Sequence, residues 1–543
     1  MAHLPLGRAA WLAVAATALA VLSGPDAPSA AADGKAGHPD ATVNAAKFGQ
    51  PDPTPPKSEH RLWFAHQSWW AVQPSSRSTG YTIWQLQASG VWTDTGVVID
   101  RRSNAGADAL WNGKHLFVAT HQYTPSYVTA VAAPAVLQRF SHNGKGWVLD
   151  KGFPVPLTNT SMPVLSIGQD SMGRILAAYV SSAHPWFVVT DAAADSDFRV
   201  KFGAPIRLTW NGTNPDPNTT ATVTGDDIAA VNASNGFTTI IWSNQSKDPR
   251  FNGFYAARHR DGTAFRPANW TAFAVTRPGA DSADNHVGVA AIPGDPQARV
   301  FAVLKTSKND PANKIGSHPQ LLFAAFTPTN PADKLGGTWK TFQLTSVSQG
   351  GTRPVVVMDK SLGRAKVFYA APYDATAITP THNQGVIFEK QVDYERMGSV
   401  SGRGIVVQHD PTLDWLDDPT TTSQNTDATS GTVVLSYIRT MKAGPGRFWH
   451  SGTPNFTAAP QTTPSQTELA LPSMNTPASP IPTAGSRAKS FVSTFWGLVS
   501  GVPGRYISGG TFGVFLLTTL VLSLRGRRAK RRRRQERQLH GYY

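Results

Sequence analysis

Eleven polar residues are the side chains of this 543-residue chain best suited to binding or proton transfer: Arg101, Asp108, His121, Asp226, Asp227, Asp284, His286, Lys305, Arg353, Glu389 and Gln424. An arginine grips a carboxylate through two parallel N–H bonds, and paired carboxylates can give and take a proton at a glycosidic bond. Asn244 and Asn425 add neutral amides, and Trp63, Trp69, Trp70, Trp111 and Trp242 offer flat faces for a sugar ring. The set points to recognition of a glycan or a protein. Each member also has a plainer use: Asp and Asn before a strand make turns, buried Arg–Asp pairs fasten sheets, and Trp fills the space between them.

Other chemistries find no support. There is no HExxH, no acidic calcium loop, no pair of His at helical spacing, no phosphate-cradling glycine loop and no Gly-x-Ser-x-Gly elbow. With no cysteine, thiolate metal sites, disulfides and a Cys nucleophile are excluded. No cofactor and no metal are expected.

The elements that position the candidates are strands. From Arg61 to His450 the chain reads as short β runs broken by Gly, Asn, Asp and Pro, without a sustained helical period. One apolar run recurs seven times, as WWAVQ (69–73), LFVATH (116–121), ILAAYVSS (175–182), TTIIWSN (238–244), VFAVLKTS (300–307), KVFYAAP (366–372) and TVVLSYIRT (432–440). A strand and tight turn precede most copies. A third strand follows, then often a fourth that opens on Trp, as in GVWTDTG (90–96) and GTWKTFQL (337–344). Four antiparallel strands repeated about an axis make a β-propeller, with sheets buried on both faces. The expectation is an all-β, seven-bladed propeller over 59–450; six blades or a pair of β-sandwiches are the alternatives. The last repeat lacks a fourth strand, which residues 41–50 are expected to supply. Most candidates fall where first strands begin, at the mouth of the central channel, where propeller ligands usually bind. His121, Asn244 and Lys305 lie on second strands and Glu389 on a third.

The ends set an address. Residues 1–32 have a positive start, an apolar run and an Ala-Ala-Ala cleavage site, the pattern of a signal peptide. Residues 33–58 and the Pro/Thr/Ser-rich 451–488 are expected to be disordered, the second as a stalk, with a juxtamembrane segment at 489–505. Residues 506–524 carry no charge, and as a helix 19 residues cover about 28 Å, enough to cross a bilayer. The tail 525–543 holds nine Lys and Arg against one Glu, a net +8 of the chain's +15. The basic balance therefore marks a cytoplasmic tail facing anionic lipid rather than a nucleic-acid surface. The expected protein is a monomer, exported and anchored in the plasma membrane by one C-terminal helix with the propeller outside. Its partners would be a glycan or a cell-envelope protein, with lipid at the helix and tail.

Several segments carry a resemblance: WTDTGVVIDRRSNAGADALWNGKHLFVATH (92–121), HVGVAAI with RVFAVLKTSKND (286–310), TRPVVVM (352–358), GVIFEK (385–390) and TSQNTDATSGTVVLSYIRT (422–440). Together they resemble a largely uncharacterised family of secreted propellers of actinomycete-type bacteria, grouped with the BNR-repeat, sialidase-like propellers. The resemblance covers most of 61–450 and implies a propeller. An enzyme of this kind would be a sialidase-like glycoside hydrolase with a Tyr nucleophile, a Glu partner and an arginine cluster. Tyr394-Glu395-Arg396 holds those residue types, but neighbours on a strand point to opposite faces. The Ser-x-Asp-x-Gly-x-Thr-Trp box has no full copy, only fragments in DSMGR (170–174) and the Trp-opening fourth strands, and PIRLTW (205–210) stands nearest to the Arg-Ile-Pro start of catalytic members. The sequence therefore favours a surface propeller that binds a glycan or protein at its mouth, with an exo-acting hydrolase and a cell-envelope scaffold as alternatives.

Overall fold

The computed structural model describes residues 36–43 and 57–453, apart from 103, 124–133, 161, 197–199, 209–222, 267–268, 310–314, 374–384, 399, 410–415 and 439–445. Within them lie seven antiparallel sheets, six of four strands and one of five, each built almost wholly from consecutive strands. Blades 1 to 6 span 62–100, 105–158, 165–207, 229–274, 287–346 and 352–408, and blade 7 begins at 416. The fold is a seven-bladed β-propeller, and six blades and paired sandwiches are excluded.

All seven recurring apolar runs are second strands, for example Leu116–Gln122, Phe237–Asn244 and Arg364–Pro372. Side chains of a strand alternate between faces, so a strand buried along its length must have cover on both sides. Phe237–Asn244 is buried at all eight positions. The hairpin leading into it turns at Asn235 and Gly236, both with positive φ (57° and 80°), as a two-residue turn matched to the strand twist requires. Aromatic rings fill the space between blades: Trp63, Trp70 and Trp111 each meet Trp147 edge-on at 5.4–5.9 Å.

The first strands are Leu62–Ala65, Ala105–Trp111, Leu165–Gln169, Ala229–Ser234, Val287–Ala290, Thr352–Asp359 and Leu416–Thr420. Each touches the first strand of the next blade, and Leu62 pairs in parallel with Thr422 to complete the circle. They line the channel and all run the same way, so their starts share one end, the mouth.

Blade 7 takes its outer strand from the N-terminal side: His38–Val43 pairs antiparallel with Gly446–Thr453. This closing strand begins three residues ahead of the expected 41–50 and overlaps it at 41–43, and Pro39 sits inside it. An outer edge strand has no further partner, so the missing proline N–H costs nothing there. Ala36 O accepts the Trp449 indole N–H (2.8 Å), and both Asp40 carboxylate oxygens lie 2.8 Å from His450 Nδ1. A Cβ at Gly37 would stand 2.5 Å from Trp449 Nε1, so only glycine fits this bend. Residues 33–58, expected to be disordered, thus hold a strand, and Lys57 and Ser58 are buried. The expected signal peptide, juxtamembrane segment, spanning helix and tail lie outside the described residues. So does the stalk beyond Thr453.

Candidate functional site

The residues that enter blade 1, Lys57-Ser58-Glu59-His60-Arg61, are all buried, none more than 7% exposed. Burying five consecutive polar residues is costly without partners. Lys57, Glu59 and His60 find them at the mouth, the Arg61 guanidinium lies over the Tyr81 ring, and the Ser58 hydroxyl has no hydrogen-bond partner among the described residues. Glu59 Oε1 accepts Leu165 N from blade 3 (3.1 Å) and lies 2.7 Å from His121 Nε2 of blade 2. Its Oε2 accepts Ala107 N (3.2 Å), with the Arg61 guanidinium 3.9 Å away. Burial works to raise the Glu59 carboxyl, but His121, Arg61 and the Leu165 N–H together hold it below the usual range. A Cβ at Gly106 would lie 2.0 Å from His121 Nε2, so glycine there makes room for the imidazole.

His60 N donates to Asp108 Oδ1 (2.6 Å) and Ile167 N to Asp108 Oδ2 (2.7 Å), so one carboxylate ties the entering segment to blades 2 and 3. Burial pushes the Asp108 carboxyl up despite these bonds. Lys57 reaches blade 4, with Nζ 3.4 Å from Asp226 Oδ1. The mouth is therefore bridged by the protein's own chain.

Blades 4 to 7 complete the cluster. Asp227 is buried and accepts from Thr224 N, Ser243 Oγ (both 2.7 Å) and Gln245; burial raises its carboxyl. Asp226 is exposed and bonds Asn285 of blade 5. Asp284 contacts both His286 and Lys305. Burial opposes its charge, but Lys305 and His286 outweigh that and hold the carboxyl far down. Burial drives His286 down to about 3, and its buried Nε2 has no hydrogen-bond partner, as fits a neutral ring. Arg353 pairs with Asp417 (2.9 Å) and Asp418, all three buried. Arg353 and Asp418 both carry left-handed backbone, φ 52° and 48°, which non-glycine residues rarely adopt.

Nine of the eleven candidates thus gather at the mouth, eight of them in direct contact with partners. Arg101 stands exposed between blades 1 and 2. Asn244 ends the second strand of blade 4 at the same side and accepts Ser246 N. Two candidates lie elsewhere. Glu389 sits mid-strand in the third strand of blade 6, buried, and accepts from Gln391 (2.8 Å). Gln424, with Asn425, lies past the first strand of blade 7, at the end of the channel opposite the mouth. Of the tryptophans, Trp63, Trp70 and Trp242 are interior fillers, Trp111 is half-buried, and Trp69 lines a cavity beside Gln424. Tyr394-Glu395-Arg396 lies in a turn after the third strand of blade 6, where Glu395 pairs with Arg299 (2.8 Å) and Arg396 is 91% exposed.

Sequence reasoning passed over Lys57, Glu59, His60, Arg61, Asn285, Asp417 and Asp418. One signal was present: a run of charged and polar residues directly ahead of the first blade, in a chain only 16% charged. Among the described residues no three His, Asp or Glu side chains gather as a metal site needs. The mouth carboxylates fasten blades, and among the described residues none of them forms an open pair.

No family model matches the chain, and no curated protein matches its sequence. Solved structures do match. A polysaccharide lyase is 7% identical over 73% of this chain and 90% of its own, with a TM-score of 0.40. The endosialidase of phage phi92 is 9% identical over 80% and 72%, at 0.38. An α-L-arabinanase of Penicillium chrysogenum, complexed with arabinobiose, is 11% identical over 65% and 98%, at 0.34.

Proposed function

We propose that this chain is an exported propeller, held outside the membrane by residues 506–524, that binds a glycan without cleaving it. The observation that supports this most is the state of the mouth carboxylates. Hydrolysis of a glycosidic bond needs two carboxyl groups open to substrate, one as acid and one as base or nucleophile. Glu59, Asp108, Asp227 and Asp284 are each buried among donors of the same chain, and exposed Asp226 is bonded to Asn285. The raised carboxyls of Asp108 and Asp227 follow from burial in structural bonds, and such perturbation alone does not mark a catalyst.

A glycan array and a hydrolysis panel of aryl glycosides and sialosides, run on the same purified full chain, test this reading. Binding without turnover is expected. Turnover that survives repurification would replace it with the hydrolase reading, and silence on the array would leave a protein partner or an envelope scaffold. Deleting 525–543 separates the last two, since a scaffold that docks through its tail would lose its location.

A further inference from the structure

At the end of the channel opposite the mouth, the chain leaves the first strand of blade 7 and runs beside blade 1. The Gln424 side-chain amide pairs with both main-chain groups of Phe64 (2.8 and 3.2 Å), which fixes this stretch against the first strand of blade 1. Between them lies a cavity of about 240 Å³ lined by Phe64, Trp69, Gln424, Asn425, Asp427 and Thr429.

Two kinds of surface meet there. The Phe64 and Trp69 rings, centroids 5.6 Å apart, form an apolar wall, and the Trp69 indole N–H is already bonded to Ser430 O (2.8 Å). Facing groups are polar. Asp427 Oδ1 caps a turn by accepting the N–H of Thr429 and Ser430 (both 2.9 Å), and its second oxygen takes no part in those bonds. The Asn425 amide nitrogen is buried and has no hydrogen-bond partner among the described residues. A buried donor left unpaired is costly, and because Asn425 lines the cavity a small turn of its side chain would offer this N–H to an acceptor there.

We propose that this cavity binds one neutral sugar ring. A pyranose has an apolar C–H face to lie on an aromatic wall and hydroxyls that both accept from an amide and donate to a carboxylate. No Lys or Arg lines the cavity, so an anionic ligand would meet Asp427 without compensation. Drug-sized pockets run to about 300–1,000 Å³, so this smaller volume takes a single ring. The assignment rests on the glycan-binding reading only for the ligand class; the location stands on the cavity itself.

Saturation-transfer NMR on the full chain with D-glucose, D-galactose, D-mannose, D-xylose and L-fucose tests it. At least one sugar is expected to bind with a millimolar Kd, the range set by so few ligand atoms. Asn425→Ala should weaken that sugar tenfold or more. Asp427→Asn, which keeps the turn-capping oxygen, should weaken it several-fold, and Arg101→Ala at the mouth should change nothing. Melting curves matched to the wild type show that the variants fold. No transfer from any sugar overturns the proposal, as does transfer undiminished in both cavity variants. A positive glycan array with undiminished variants keeps the glycan-binding function and refutes this cavity. A silent array with intact monosaccharide transfer refutes the function and keeps the cavity.

Discussion

The two ends of the channel gather polar residues around the same ring of first strands and use them differently. At the mouth, Glu59, Asp108, Asp284 and Arg353 each meet partners from other strands, and the entering segment 57–61 bridges the opening. At the far end, Gln424 and the Asp427 turn are bonded while the Asn425 amide is not. A concentration of titratable residues therefore does not by itself mark a site. What separates the two ends is what their carboxylates meet: Glu59, Asp108 and Asp284 are held against partners from other strands, whereas Asp427 stands in an exposed turn beside the Phe64 and Trp69 rings.

If the mouth is a fastening, breaking it should cost stability first. Arg353→Ala leaves Asp417 and Asp418 buried side by side without their shared cation. Breaking a buried pair by removing one partner costs about 3–5 kcal/mol, and two carboxylates place this variant at the upper end. Urea unfolding of wild type and variant reads it out; a loss under about 1 kcal/mol would show that the cation is not structural. Glu59→Ala strands His121 and two main-chain N–H groups, and about 3 kcal/mol should go in the same measurement.

The fold was legible because its signal is physical and repeated. A second strand covered on both faces must be apolar throughout, and LFVATH, TTIIWSN and KVFYAAP announce that without reference to partners. The closing strand was half visible: the gap in the last blade pointed to the N-terminal side, but the expected 41–50 meets the observed His38–Val43 only at 41–43. The mouth was legible as a place and not as a role. Asp108 before a strand looks the same whether it awaits a sugar or bonds His60 and Ile167, 48 and 59 residues away in sequence. Glu389 shows the converse, a carboxylate on a β run whose depth within the blade no local pattern encodes. Gln424 and Asn425 were singled out as polar residues and placed at the wrong end, because the first strand of blade 7 ends at Thr420, before they are reached.

The ends should also differ in their response to acid. His286 is held neutral down to about 3 in the folded mouth, whereas an unfolded histidine takes its proton near 6.5. Between those values the unfolded state binds the extra proton, so stability falls as pH falls, by at most about 1.4 kcal/mol per unit. Asp284, depressed in the fold, adds its own loss only as pH drops below about 4. From pH 6.5 to pH 5 the His286 contribution comes to roughly 2 kcal/mol. His286→Gln should flatten the pH dependence of the melting temperature in that window. An unchanged slope would place the acid sensitivity elsewhere, and the cavity variants should keep the wild-type slope.

The smallest expected effect sharpens the contrast most. Asp427 lies in an exposed turn, and Asp427→Asn retains the oxygen that accepts the N–H of Thr429 and Ser430. Surface changes that spare such bonds stay within about 0.5 kcal/mol, so the variant should melt with the wild type. Its loss of sugar binding would then be a change of function without a change of fold, the reverse of Arg353→Ala. If Asp427→Asn instead destabilised the chain by about as much as a mouth variant, the far end too would be a fastening. The unpaired Asn425 amide would then be a cost of closing the ring rather than a seat for a ligand.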